Sequence, residues 1–184
     1  MRVIAGSARR TPLKTLEGMN PRPTQDRIKE TLFNMLQYDL ADCAFLDLFA
    51  GSGGIGIEAL SRGAGQAVFV EQNEAAVQIV RENLKITKLE DRAVVMHCDA
   101  LTALKRLEGK YRFDFNFMDP PYDHELEKQM LEYLKTSSMI DKQSTIIIEA
   151  SLQTDFSYLS PMGYITEKIK EYKTNKHVFV YRGE

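Results

Sequence analysis

Tryptophan is absent, cysteine occurs twice and histidine three times in a chain of 184 residues. Cys43 and Cys98 form no CxxC pair and no His/Cys cluster, which leaves neither a disulfide framework nor a zinc site, so reduced thiols and no metal are expected. His97, His124 and His177 are scattered and show no triad partner, so structural or surface roles are expected for them. No run of about 18 apolar residues exists, and no membrane span is expected. The opening Met1 to Ala5 is followed by Arg9 and Arg10 rather than by a long apolar run with a cleavage site, so no secretion signal is read and a cytoplasmic location is expected. A length of 184 residues with 43% hydrophobic content suits one domain with a real core better than two. Nothing in the composition points to an oligomeric state.

A net charge of −2 hides an asymmetry. Residues 1–30 carry seven Lys/Arg (Arg2, Arg9, Arg10, Lys14, Arg22, Arg27, Lys29) against Glu17, Asp26 and Glu30, a balance of +4 that leaves −6 for the remainder. A basic leading segment on an acidic body suits a protein with one edge on a phosphate backbone. A solvated basic surface without a partner stays open as the alternative from charge alone.

Short apolar runs alternate with segments of helical spacing, the pattern of a parallel sheet covered by helices. Strands are expected at Phe45 to Phe49, Ala67 to Glu71, Ala93 to His97, Phe113 to Met118 and Thr145 to Ala150. Helices are expected at Ile55 to Ser61, Glu74 to Lys85, Leu101 to Leu107 and Glu125 to Leu134. After Pro161, the runs Tyr164 to Lys168 and His177 to Tyr181 read as a hairpin that adds an antiparallel strand. Residues 1–23, rich in Gly and Pro, read as a basic arm on the substrate side: a hairpin of Arg2 to Arg9 with Leu13 to Leu16, then a loop. The arm feeds a helix from about Gln25 to Leu36, capped by Thr24 with Asp26 at its positive end. Residues 24–184 form the main domain.

Phe45 to Phe49 runs into Gly51-Ser52-Gly53-Gly54-Ile55-Gly56, a GxGxxG between a strand and a helix. Such glycines let the backbone turn tightly and approach a ligand, while the helix presents its first amides. Glu71 ends the next strand, where a carboxylate can accept both ribose hydroxyls. These two features also fit a dinucleotide enzyme. Asp47, inside the first strand and beneath the loop, would repel a pyrophosphate but could orient a cationic amino-acid moiety, which S-adenosylmethionine has. Asp99 follows the third strand and could accept an adenine amino group. The candidate cofactor contacts are Asp47, Phe49, Gly51, Ser52, Gly53, Glu71, Gln72, Asp99 and Ala100, for S-adenosyl-L-methionine.

The fourth strand ends in Asp119-Pro120-Pro121-Tyr122. Two prolines stiffen the backbone and remove two amide donors, leaving carbonyl acceptors. An exocyclic amino nitrogen of a nucleobase is a poor nucleophile because its lone pair is delocalised into the ring. Asp119 and the Pro120 carbonyl, accepting its N–H bonds, would favour pyramidal geometry and free the lone pair, while Tyr122 stacks on a flipped-out base. Asp119, Pro120, Pro121 and Tyr122 are the candidate catalytic residues of an amino methyltransferase.

The chain resembles the RsmD-type 16S rRNA guanine-N2 methyltransferases of bacteria. The likeness runs through Arg2-Val3-Ile4-Ala5-Gly6, Arg22-Pro23-Thr24-Gln25-Asp26-Arg27, Glu30-Thr31-Leu32-Phe33-Asn34, Leu46 to Gly53, Glu58 to Ala64 and Asp119 to Tyr122. The arm is its most specific part, because the glycine loop and DPPY recur in many amino methyltransferases. The resemblance implies an α/β, Rossmann-like class I methyltransferase fold, a mostly parallel seven-stranded sheet flanked by helices with a small N-terminal hairpin. It also implies a target guanine in 16S rRNA, presented by a small ribosomal subunit or its assembly intermediate. It places Arg22, Thr24 and Arg27 on the substrate side; with Arg9 and Arg10 from the basic arm they are the candidate RNA-binding residues. Phe is common in that family where this chain has Tyr122, and either ring could stack. A DNA or RNA adenine-N6 methyltransferase stays open, because DPPY serves adenine too. A nicotinamide-dependent oxidoreductase would leave DPPY without a task, and a non-catalytic RNA-binding module would explain only the arm.

Overall fold

Strands buried on both faces need no alternation of polar and apolar residues, and the apolar runs at 44–47, 67–70 and 115–118 form such strands. The computed structural model describes residues 1–16, 23–121 and 124–183, apart from the side chains of Pro23 and Thr24. The fold is α/β, with a seven-stranded, mostly parallel sheet flanked by helices. The chain divides into two compact units, Met1–Asp99 and Ala100–Glu184.

The first unit holds helix α1 (Pro23–Leu36), strand β1 (Ala44–Asp47), α2 (Gly54–Ser61), β2 (Gln66–Glu71), α3 (Glu74–Thr87) and β3 (Ala93–His97). Its strands run parallel, with Phe45 opposite Ala67 and Val68 opposite Val94. Every residue of β1 is buried, whereas β3 is half-exposed along its length. Helix α3 buries Ala76, Val77, Val80, Asn83, Leu84 and Thr87, one stripe at helical spacing. Asn73 caps it by accepting from the Ala76 amide, and Lys88 ends it in a left-handed conformation. Phe33 of α1 stacks on Phe45 of β1.

The leading arm is a tighter hairpin than its sequence suggests, because Met1 to Val3 pairs with Thr11 to Leu13. Arg2 bridges Pro12, and amide-to-carbonyl bonds join Val3 to Thr11 and Leu13 to Met1. It is fastened to α2. Glu58, fully buried, accepts from the amides of Ile4 at 2.8 Å and Ala5 at 3.0 Å and from the guanidinium of Arg62 at 2.8 Å. The Lys29 ammonium lies 3.5 Å from it and donates to the Arg2 carbonyl. Burial lowers the Lys29 pKa, an effect the nearby Glu58 charge opposes. Ser61, one turn on, donates to the Ala5 carbonyl and accepts from the Ala8 amide.

The second unit holds α4 (Ala100–Leu107), β4 (Phe115–Met118), α5 (Leu126–Leu134), β5 (Thr145–Ser151), β6 (Tyr164–Glu171) and β7 (Asn175–Arg182). Strands β4 and β5 run parallel, and β7 lies antiparallel to both β5 and β6. The closing hairpin is thus as expected, with both strands longer. Helix α1 begins at Pro23, so Thr24 lies inside its first turn rather than at a cap; proline suits that first position because its missing N–H would have no intrahelical acceptor. Strand β4 begins at Phe115, two residues later than its apolar run. No helix among the described residues is long and apolar enough to cross a membrane.

A buried carboxylate stripped of its partners is costly, and so are donors stripped of a buried carboxylate. Glu58→Ala is expected to lower stability by roughly 3–5 kcal/mol in urea unfolding and to open the arm to proteolysis. Unchanged stability and an intact arm would show that Glu58 does not hold it.

Candidate active site

Strand β1 ends on Asp47, and the chain turns through Leu48 to Gly53 before α2 begins. Gly51 and Gly53 have φ of +55° and +83°, the left-handed region that favours residues without Cβ. Gly56 meets a different constraint: a Cβ there would come within 2.3 Å of the Phe69 ring, so α2 lies close against β2. The Ala50 amide donates to the Val70 carbonyl at 2.9 Å, which ties the turn to the neighbouring strand.

Two carboxylates hold this turn and the start of α2. Glu71, at the end of β2, accepts from the Gly51 amide at 2.9 Å through Oε2 and from the Asn73 amide at 2.8 Å through Oε1. Each carboxylate oxygen can accept a further bond, so Glu71 is oriented in advance and keeps capacity for ribose hydroxyls. Asp47 is buried and accepts from the Gly56 amide at 3.0 Å. Burial pushes its pKa up to about 7, against the Gly56 amide and with help from the Glu71 charge. A carboxylate beneath the turn fits a ligand with a cationic amino-acid end and opposes a pyrophosphate.

Sequence reasoning does not single out Asn83 of α3. Fully buried, it accepts from the Lys14 amide at 2.8 Å and donates to the carbonyls of Lys14 at 3.0 Å and Ser52 at 2.9 Å. One side chain therefore joins the arm to the glycine turn. Glu58 enters the sequence reading only as part of a motif. A polar residue on the apolar stripe of α3, or an acid inside the apolar α2, is the signal that would have found them.

Among the other expected residues, Phe49 and Ser52 are half-buried in the turn and Gln72 is exposed just after β2. The Gln72 carbonyl lies 3.1 Å from His97 Nε2. Asp99 is exposed after β3, and buried Ala100 opens α4. In the first unit Glu71 bonds Gly51, Asp47 bonds Gly56 and Asn83 bonds Ser52. Asp119, Pro120 and Pro121 belong to the second unit, where they follow β4 with Asp119 and Pro121 exposed and Pro120 buried. Arg9, Arg10 and Arg27 are exposed. Arg22 and Tyr122 lie outside the described residues, as does the side chain of Thr24. His177 has an acid partner that sequence order conceals: its Nε2 lies 3.0 Å from Glu149 Oε2.

The arrangement is that of a nucleoside-binding α/β protein with its glycine turn at the carboxyl end of β1. The family profile described as "Conserved hypothetical protein 95" matches residues 1–182. The chain is 42% identical over 153 residues to the Bacillus subtilis protein YlbH, named provisionally an rRNA methyltransferase, covering 81% of this chain and 82% of that one. It is 34% identical over 171 residues to the Ribosomal RNA small subunit methyltransferase D of Haemophilus influenzae, covering 92% and 88%. A solved Escherichia coli structure, yhhF, named provisionally a methyltransferase, superposes with a TM-score of 0.84 at 29% identity, covering 100% of this chain and 98% of the other. The chain belongs to this RsmD-type methyltransferase family.

Asp47 gives the site a pH signature. Its folded pKa, near 7, exceeds the unfolded value of about 3.9, so between these the folded state holds the proton more tightly. The contribution is fully present below about pH 4 and is lost as pH rises towards 7. Asp47→Asn, which keeps an acceptor for the Gly56 amide, is expected to remove this part of the slope in denaturant midpoints measured from pH 4 to 8. A slope identical to the parent's would assign the titration to another group.

Proposed function

We propose that this protein transfers a methyl group from S-adenosylmethionine to the exocyclic N2 amino group of one guanine in 16S rRNA, within a small-subunit assembly particle. The observation that carries this reading is the glycine turn bonded to Glu71, with Asp47 buried beneath it, in a chain of this family. Relatives named Ribosomal RNA small subunit methyltransferase D, from Haemophilus influenzae and Escherichia coli, support the rRNA substrate.

S-adenosylmethionine carries an activated methyl group on a cationic sulfonium, so the chain's task is to bind, orient and exclude water. Glu71 accepts the ribose hydroxyls through its remaining lone pairs. Asp47 stabilises the cationic amino-acid end through its own charge, and holds the start of α2 by accepting from the Gly56 amide. Asp99 accepts from the adenine amino group, with Phe49, Ser52, Gln72 and Ala100 completing the wall. Asp119 and the Pro120 carbonyl accept the N–H bonds of the target amino group, localising its lone pair for attack, and Asp119 takes the proton released from the methylated nitrogen. Pro121 stiffens this corner and Tyr122 stacks on the base. Arg9, Arg10, Arg22, Thr24 and Arg27 engage the RNA backbone, where cations release counterions. The same corner would serve adenine N6, and the base that acquires the methyl group separates the two readings.

With labelled S-adenosylmethionine and particles lacking the modification, Asp119→Ala is expected to lower kcat by at least about a hundredfold while leaving cofactor affinity by calorimetry unchanged. Equal loss of both would give Asp119 a structural role, and label on adenine would replace guanine as the target. The pair Arg9→Ala and Arg10→Ala is expected to raise KM for the particle and to flatten the logarithmic salt dependence of binding by roughly 0.7 for each phosphate left without its cation. An unchanged slope would remove the arm from RNA binding.

A further inference from the structure

In the second unit a polar cluster stands beside the corner that carries Asp119. Met118 of β4 pairs with Ile148 of β5, so Asp119 and Glu149 are the next residues on neighbouring parallel strands. Across β5 and β7, Glu149 lies opposite His177 and Ser151 opposite Asn175. The Phe117 ring meets His177 edge-on, with centroids 5.9 Å apart, which places this cluster on the sheet face that Phe117 shares. Asp119, two residues on, follows Phe117 on the same alternation.

Glu149 is held from behind. Its Oε1 accepts from Asn175 Nδ2 and its Oε2 faces His177 Nε2 at 3.0 Å. His177 is 1% exposed in its side chain and Glu149 is 19% exposed, so of this pair the acid is the one that reaches solvent. Tyr172 closes the rear: its hydroxyl lies 3.3 Å from His177 Nδ1 and its ring packs edge-on against the imidazole at 5.0 Å. With the Nε2 proton directed at Glu149, Nδ1 accepts from Tyr172 and the imidazole is satisfied. The Asn175 Oδ1 atom is buried without a hydrogen-bond partner, so its amide serves Glu149 alone. The cluster is a built mount for one carboxylate, with each oxygen fixed by a donor and further lone pairs left outward.

A carboxylate at that position has a use that the Asp-Pro-Pro corner lacks. Guanine presents adjacent donors, N1–H and the N2 amino group, whereas adenine presents its N6 amino group beside an N1 lone pair. Neighbouring strands lie about 4.8 Å apart, so Asp119, just past the end of β4, and Glu149, beside it on β5, can share one base edge. We infer that Glu149 accepts the N1–H of the target guanine while Asp119 serves its amino group, and that Glu149, oriented by Asn175 and His177, selects guanine over adenine. The inference rests on the proposed guanine-N2 reading. An adenine in the same seat would set its N1 lone pair against a fixed anion, and buried polar groups left unmatched are what rejects a wrong substrate strongly.

The test compares two bases that both carry an amino group at C2. Particles are reconstituted with 16S rRNA bearing guanine or 2-aminopurine at the mapped target; 2-aminopurine has a lone pair at N1 instead of a hydrogen. The parent enzyme is expected to favour guanine in kcat/KM by roughly a hundredfold. Glu149→Gln, whose amide can donate to that lone pair, is expected to bring the two substrates within about threefold with cofactor affinity retained. A change confined to folding would lower both rates together and leave their ratio in place. An unchanged ratio in Glu149→Gln overturns the inference, and so does equal use of both bases by the parent enzyme, which requires no variant. Methylation of guanine N2 with either result leaves the proposed function standing, whereas no transfer to guanine at all removes both.

Discussion

A backbone turn with two left-handed glycines keeps its shape only where neighbouring groups satisfy its amides and carbonyls, and here carboxylates and one amide side chain do so. Glu71 accepts from the Gly51 amide, Asp47 accepts from the Gly56 amide in the first turn of the following helix α2, and Asn83 donates to the Ser52 carbonyl. Each comes from a different element, β2, β1 and α3, so the turn's conformation is fixed by the packing of the first unit. A turn held in this way loses little conformational freedom when a ligand arrives, and preorganisation of that kind contributes directly to affinity.

Helices α2 and α3 position the basic arm. Glu58 and Ser61 hold its first limb against α2, while Asn83 holds its second limb at Lys14 and reaches the glycine turn with the same amide group. The arm is therefore built into the first unit. Its exposed Arg9 and Arg10 stand on backbone anchored by hydrogen bonds to Ser61 and Glu58, which limits the conformational freedom of the arm. The second unit uses the same device at Glu149, where a partly exposed acid is oriented by groups that are themselves buried. In both units, carboxylates are mounted on donors supplied by neighbouring elements.

Much of the architecture was legible in order along the chain. The stripe of α3, the strand at Ala93–His97 and the glycine turn after β1 follow from local periodicity and spacing, and Glu71 could be placed at the strand end because β2 is short and apolar. Less legible were features that depend on pairings distant in sequence. The hairpin of Met1 to Val3 with Thr11 to Leu13 is set by its dock on α2, since Glu58 fixes the amides of Ile4 and Ala5 from more than fifty residues away. Asn83 looks like an ordinary polar residue until α3 is packed against the turn. His177 looks isolated because its partner lies 28 residues earlier, and only the antiparallel register of β5 with β7 brings the two together.

If the fastened turn and the Asp-Pro-Pro corner serve methyl transfer to one guanine of small-subunit rRNA, cells without the protein must lack that methyl group. Mass spectrometry of 16S rRNA nucleosides from such cells, before and after purified protein and S-adenosylmethionine are added to their particles, reads this out. N2-methylguanosine is expected to fall short by one residue per 16S rRNA and to be restored on addition. An unaltered N2-methylguanosine content, or restoration of a methylated adenosine in its place, would contradict the proposed reaction.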